Sequence, residues 1–182
     1  MKKYVAFLRG INVGGHHKVP MAELKIELQK MGFQQVVTIL NSGNVLFEAE
    51  EATDIEEKVS NRLEEVFGFP IPTIIRSFEA IRDLAHNDPF EYVTTTKDTK
   101  QYISFLQSEV EHDTALPWTS EDGAYQIISQ RGLNVISMLD LSRSKTVKAM
   151  KMLEDIYVKN ITTRNWNTIV RVMKKAEGLG WV

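Results

Sequence analysis

The sequence predicts an α+β fold built from two ferredoxin-like units of the βαββαβ type, antiparallel sheets with helices packed on one face. Three observations carry this expectation. Apolar patterns over the first half follow the order strand, helix, strand, strand, helix, strand. The segment "NSGN" at 41–44 lies between two β-rich runs and reads as a hairpin turn. After the polar, threonine-rich "EYVTTTKDTK" a weaker echo of the same alternation follows. The expected organisation is an N-terminal unit over 1–88, a linker over 89–100, and a related C-terminal unit with a terminal helix over 101–182.

Each element has its own signal. Tyr4 to Leu8 is short, apolar and bounded by charge, as in a strand. Pro20 to Met31 is read as a helix with Met21, Leu24, Leu28 and Met31 on one face and Glu23, Lys25 and Glu27 away from it. Pro20 suits the first turn, where no amide donor is missed, and Gly32 suits the end. "VVTIL" and "NVLFE" are the hairpin strands. Thr53 and Glu56 have capping-box spacing before a helix that turns Ile55, Val59, Leu63 and Val66 inward. "PIPTIIR" is a fourth strand with prolines at its start, and Phe78 to His86 a further helix.

In the second half "QYISFLQ" reads as a strand and "SEVEHDTAL" as a short helix. "AYQIIS" and "LNVISML" form a hairpin around "QRG". "KTVKAMKMLEDI" is a helix with Val147, Met150 and Leu153 on one side. The closing "ITTRNWNTIVRVMKKAEGLG" is read as one helix, with Thr162 or Thr163 as N-cap and a stripe of Trp166, Ile169, Val170 and Met173 packed in the core.

Composition bounds the function. The chain has 182 residues, 43% of them hydrophobic and 25% charged, which suits globular units with a real core. A net charge of −2 argues against a general nucleic-acid coat while leaving room for a local basic pocket. The absence of cysteine excludes disulfides, thiolate zinc sites and a cysteine nucleophile, and fits a reducing cytosol. Arg9 interrupts the first apolar run too early for a signal peptide. No apolar stretch approaches the roughly 18 residues that span a bilayer. A cytoplasmic protein without membrane attachment is expected.

The chemistry concentrates in "RGINVGGHHK". In a ferredoxin-like sheet the end of the first strand and the turn between the second and third lie at one edge. That edge then collects the glycine-rich loop, the turn and the N-terminus of the Pro20 helix, with its free amides and partial positive charge. Glycines there let backbone N–H groups converge on an anion. The expected ligand-binding residues are Arg9, Gly10, Asn12, Gly14, Gly15, Lys18, Ser42, Gly43 and Asn44. Arg9 offers a planar fork for phosphate or carboxylate and Lys18 a point charge. Loop geometry alone is the plain alternative, since "GINVGG" has neither Walker nor dinucleotide spacing.

Other motifs carry less. The adjacent His16 and His17 do not aim at one metal, and no H-E-x-x-H spacing occurs, so no metal site is expected. Asp83, His86 and Asp88 are explained by a helix end. Ser42 lacks the G-x-S-x-G elbow of a nucleophile. "SRSKTVK" reads as capping and solubility. Arg164 and Asn165 are placed in a first helical turn, where an arginine opposes the dipole and calls for an acidic partner, a carboxylate of the protein or a ligand.

Taken together, "LRGINVGG", "KVPMAEL", "LNSGNVLFE" and "TTRNWNT" resemble the bacterial DUF1697 family, a domain of unknown function, over nearly the whole chain. The resemblance implies a cytoplasmic α+β protein with ferredoxin-like halves. It brings no activity, cofactor or catalytic residue. Because the motifs include both loops and "RNWNT", it supports adding Arg164 and Asn165 to the ligand-binding set. The best functional reading is binding of an anionic small molecule, phosphate or nucleotide-like, with or without a reaction. The alternatives are a single-stranded nucleic-acid binder, which is not favoured, and a protein-interaction module. Tyr4, Phe7 and Phe47 are the sheet aromatics on which bases would stack, but Tyr4 and Phe7 point to opposite faces. The sequence names no cofactor, reaction or oligomeric state.

Overall fold

The computed structural model describes residues 1–158 and 161–182. The chain divides into two compact units, 1–86 with 171–182, and 87–170. The first contains β1 (Lys2–Leu8), α1 (Met21–Lys30), β2 (Gln34–Ile39), β3 (Asn44–Ala49), α2 (Ile55–Phe67), β4 (Thr73–Ser77) and α3 (Phe78–His86). Its antiparallel sheet has the order β2-β3-β1-β4, the ferredoxin-like order for a βαββαβ succession. The second contains β5 (Thr99–Leu106), β6 (Trp118–Thr119), β7 (Tyr125–Arg131), β8 (Asn134–Asp140), α4 (Thr146–Tyr157) and β9 (Ile161–Asn165), in an antiparallel sheet of order β6-β7-β8-β5-β9. Helix α5 (Trp166–Glu177) starts in the second unit and is counted with the first from Arg171 onward. The fold is α+β, with antiparallel sheets of four and five strands.

In the first unit Tyr4, Ala6 and Leu8 of β1 share a core with Leu24 and Leu28 of α1 and Val59 and Leu63 of α2. Phe33 and Tyr4 stack on either side of Phe47 with centroids 4.6 and 5.5 Å away. The other face of β1, Val5 and Phe7, is fully buried too. There α3 contacts β1 and β4, and Trp181 packs edge-on to Phe78 and under the Lys3 ammonium. A strand buried on both faces is continuously apolar, which is how Val5 to Leu8 reads.

Two helix readings change. Glu27, expected on the outer face of α1, is buried at 7% exposure. It accepts from Lys30 Nζ at 2.7 Å and from Arg62 Nη2 of α2 at 2.6 Å. These two cations hold its carboxyl below the ordinary glutamate value. In α2 the capping box does not form. Asp54 is the N-cap without a side-chain cap bond, and Val66 is exposed. Glu56 instead turns to β4, where Oε1 accepts from the Ile75 N–H at 2.7 Å and from Arg76 Nη1 at 3.3 Å. The Thr73 N–H reaches Ser60 Oγ at 3.3 Å. The Arg9 N–H bonds to Pro72 O, so by antiparallel alternation the Thr73 and Ile75 amides face away from β1. Side chains of α2 therefore close the open edge of the sheet, which would otherwise invite pairing with another chain.

The second sheet repeats the first in register. Tyr4-Val5-Ala6-Phe7-Leu8 in β1 has its counterpart in Tyr102-Ile103-Ser104-Phe105-Leu106 of β5. Phe7 is opposite Asn44, and Phe105 opposite Asn134. Val5 is opposite Arg76, and Ile103 opposite Arg164. In both units the arginine Nη1 donates to the preceding carbonyl, Ile75 O or Thr163 O, at 2.9 Å. The order β7-β8-β5-β9 thus matches β2-β3-β1-β4, with β6 added at one edge.

The crossover differs. The helix expected from "SEVEHDTAL" is absent, and among the described residues 107–117 form neither helix nor strand. Three acidic residues and a histidine in that stretch leave Val110 and Leu116 as its apolar anchors on the core, too few for a helical stripe. In α4 the buried residues are Ala149, Leu153 and Tyr157, while Val147 is 82% exposed. The final segment is not one helix. Residues 161–165 pair with β5, which outweighs their helical pattern, and α5 begins at Trp166. Asn165 caps it, its Oδ1 accepting from the Asn167 N–H at 2.9 Å. Trp166 is half-buried, edge-on to Phe90 at 5.4 Å. The fully buried positions of α5 are Ile169, Val172 and Ala176, and Val170 is exposed.

Replacing Glu56 by alanine leaves the Ile75 amide and Arg76 without this acceptor. The expected loss is about 1–3 kcal/mol in urea unfolding, largely recovered by Glu56→Gln, which keeps a carbonyl acceptor. Equal stability of parent and alanine variant would show that the edge is closed by other means.

Candidate functional site

The loop after β1 and the β2–β3 turn meet, as the strand order requires. The Leu8 N–H donates to Gly43 O at 2.8 Å. Asn12 holds the rest. Its Nδ2 donates to Val19 O at 3.0 Å and to Asn41 O at 2.8 Å, and its Oδ1 accepts from the Val19 N–H at 2.8 Å. The Asn12 N–H donates to His17 O at 3.0 Å, and the His16 N–H to Val13 O at 3.1 Å, which folds 12–17 into a small closed loop. Asn12 has φ +55°, a left-handed conformation that asparagine tolerates better than other side chains. His17 lies over Phe69 with centroids 4.5 Å apart.

Gly43 makes the close approach possible. Its φ is +73°, and a Cβ there would stand 2.7 Å from Leu8 Cβ and 2.8 Å from Ile11 Cδ1. Asn44 is fully buried, with Nδ2 donating to Ile39 O and Ser42 Oγ, both at 3.0 Å. Ser42 and Asn44 therefore close the turn, and Ser42 is not poised as a nucleophile.

Beside this junction lies a cavity of about 420 Å³ lined by Asn12, Gly15, Lys18, Val19, Pro20, Met21 and Asn41. It opens at the start of α1, where Pro20 supplies no side-chain cap. The first amides of that helix and the Lys18 ammonium give the cavity positive character, and the exposed Glu23 in the first turn offsets part of it. Of the expected residues, Asn12, Gly15 and Lys18 line it. Arg9, Gly10, Gly14, Ser42, Gly43 and Asn44 sit in the same loop and turn without being part of that lining. Arg9 is half-buried and Gly10 and Gly14 are exposed. Val19, Pro20, Met21 and Asn41 were missed by sequence reasoning. Asn41 acts through its backbone carbonyl, which no side-chain pattern signals.

Arg164 and Asn165 belong to the second unit. They lie on β9, not in a helical turn, so the argument from an opposed dipole does not apply to Arg164. Arg164 is buried, with Nη1 donating to Thr162 Oγ1 at 3.0 Å and Thr163 O at 2.9 Å. Loss of solvent pulls its guanidinium down to about 10, still charged at neutral pH. Among the described residues no group of three or more His, Asp or Glu side chains is placed to hold a metal ion. No described helix is long and apolar enough to cross a membrane.

Fold and site together define an α+β protein with two antiparallel sheets of matching register and a cleft at the start of the first helix. The chain belongs to DUF1697, a family described as protein of unknown function, whose model matches residues 1–135. It is also similar in fold to the conserved bacterial protein SP0830 from Streptococcus pneumoniae. That match has 23% identity and a TM-score of 0.66, and covers 94% of this chain and 96% of the other. No curated protein matches the chain.

Gly43 and Gly15 give a matched test of the junction. Both have positive φ, but a Cβ at Gly15 would meet nothing within 4 Å. Gly15→Ala is expected to cost about 1–2 kcal/mol of backbone strain. Gly43→Ala should cost about 2–5 kcal/mol once overpacking against Leu8 and Ile11 is added. Equal losses in denaturant unfolding would mean that the turn does not press on the loop.

Proposed function

We propose that the protein binds an anionic small molecule, phosphate or nucleotide-like, in the cavity between the Asn12 loop and the start of α1. The observation that carries the reading is the uncapped N-terminus of α1 opening into a 420 Å³ cavity that also receives Lys18. Helix amides and a lysine are the usual means of holding a phosphate oxygen without a metal. Gly15 lets the backbone turn without a side chain filling the space. Such a site stabilises charge; Lys18 is the one ionisable side chain among its described lining residues, which supply no acid–base pair.

The nucleic-acid alternative is weakened. Tyr4, Phe7 and Phe47 are all buried, so they offer no open platform for bases.

The test is calorimetric titration of the parent and Lys18→Ala with inorganic pyrophosphate and adenosine diphosphate. Lys18 is exposed, so its removal should leave the fold intact. The expected result is measurable binding by the parent and a loss of affinity of about tenfold or more in the variant. No binding at millimolar ligand, or equal binding by both proteins, would refute the reading.

A further inference from the structure

We propose that the second unit carries its own pocket, at the position equivalent to the Asn12 cavity, and that it takes a cationic, hydrogen-bond-donating group such as an alkylammonium or guanidinium. In the first unit the cavity is framed by the loop after β1 and the β2–β3 turn. The matching strands are β5, β7 and β8, and the matching loop is the stretch after β5 that has lost its helix. There a cavity of about 680 Å³ is lined by Val110, Glu111, His112, Asp113 and Gln130. Gln130 stands near the end of β7, just before the turn into β8. Each pocket involves the loop after its unit's first strand and the neighbouring hairpin, and the charge of the lining is reversed. Two carboxylates replace the lysine and helix amides, and no lysine or arginine is among the described lining residues.

The hydrogen bonds specify what is lacking. Gln130 Nε2 donates to Gly132 O at 3.1 Å, which fixes the amide so that Oε1 is the acceptor. Tyr157 donates its hydroxyl to that oxygen at 3.0 Å. His112 Nε2 lies 3.3 Å from the same oxygen and must also donate. Neutral His112 is therefore the Nε2–H tautomer, held edge-on against Tyr157 at 4.9 Å. Its Nδ1 is left as a buried acceptor with no hydrogen-bond partner. A buried orphan acceptor is uncommon and costly, and it marks a place for a donor. A donor-rich cation would bond to Nδ1 after a small shift of the loop, place its charge between Glu111 and Asp113, and lay its stem on Val110.

The experiment titrates the whole chain with agmatine and with spermidine. It follows heat of binding and the ring nitrogen resonances of His112, for the parent and for the double variant Glu111→Gln, Asp113→Asn. Both carboxylates are exposed, so the variant should fold as the parent does. Expected are binding by the parent, movement of the Nδ1 resonance away from that of an unpaired acceptor, and affinity weaker by about tenfold or more in the variant. Absence of binding, undiminished binding by the variant, or an unmoved His112 ring would each overturn the proposal.

Discussion

The side-chain amide of Asn12 is the fastening on which the loop-and-turn edge of the first unit depends. One group makes three hydrogen bonds, two across the neck of its own loop to Val19 and one to the turn at Asn41. The loop leaves β1 beside the sheet edge and must return to start α1. Ten residues between Leu8 and Val19 have no strand or helix to organise them. The backbone adds short local ties, the His17 and Val13 carbonyls accepting from the Asn12 and His16 amides. With Asn12 in place, the start of α1 is set against the turn, and Lys18 is carried to the cavity beside it. The glycine of the β2–β3 turn and the charge of the loop after β1 thus have separate tasks. Gly43 removes a side chain where two backbones press together, and Lys18 supplies charge at the helix start.

The second constraint is the repeated sheet. Both units place an arginine opposite the middle of their first strand and bend it back onto the edge carbonyl before it. Burial lowers both guanidinium groups, with Glu56 opposing the effect at Arg76. What differs between the units is the crossover from first to second strand. A helix there gives the first unit free amides and a positive end. An acidic loop gives the second unit carboxylates. One scaffold with the same register can present opposite charges at the same corner, because register belongs to the strands and charge to the connection.

The sheet of the first unit was legible because each strand announces itself by short apolar runs, and because the strand order forces the loop and turn together. The convergence of the loop after β1 with the β2–β3 turn followed from topology; the contacts that fasten it, Leu8 with Gly43 and Asn12 with Asn41, did not. Side-chain roles were less legible. Glu27 looks outward on a helical wheel, but Arg62 lies 35 residues away and is brought to it by packing. Glu56 has the spacing of a capping box and serves a neighbouring strand instead. The "ITTRN" strand was hidden because its pattern continues smoothly into a helix, and its partner β5 is distant in sequence. The absence of a helix at 107–117 had a visible signal, since its charges fall on every face. The match between "YVAFL" and "YISFL" was also open to view in the sequence, and the register gives it meaning.

The central claim is that Asn12 shapes the cavity beside α1 without contributing charge to it. Hydrogen exchange and pyrophosphate titration of Asn12→Ala test this directly. The account predicts that the Val19 amide, which donates to Asn12 Oδ1, loses its protection, and that pyrophosphate affinity falls although Lys18 is untouched. Amides in the centre of β1 should stay protected as in the parent. If Val19 remains protected and pyrophosphate binds as before, the loop is organised by something other than Asn12 and the account is contradicted.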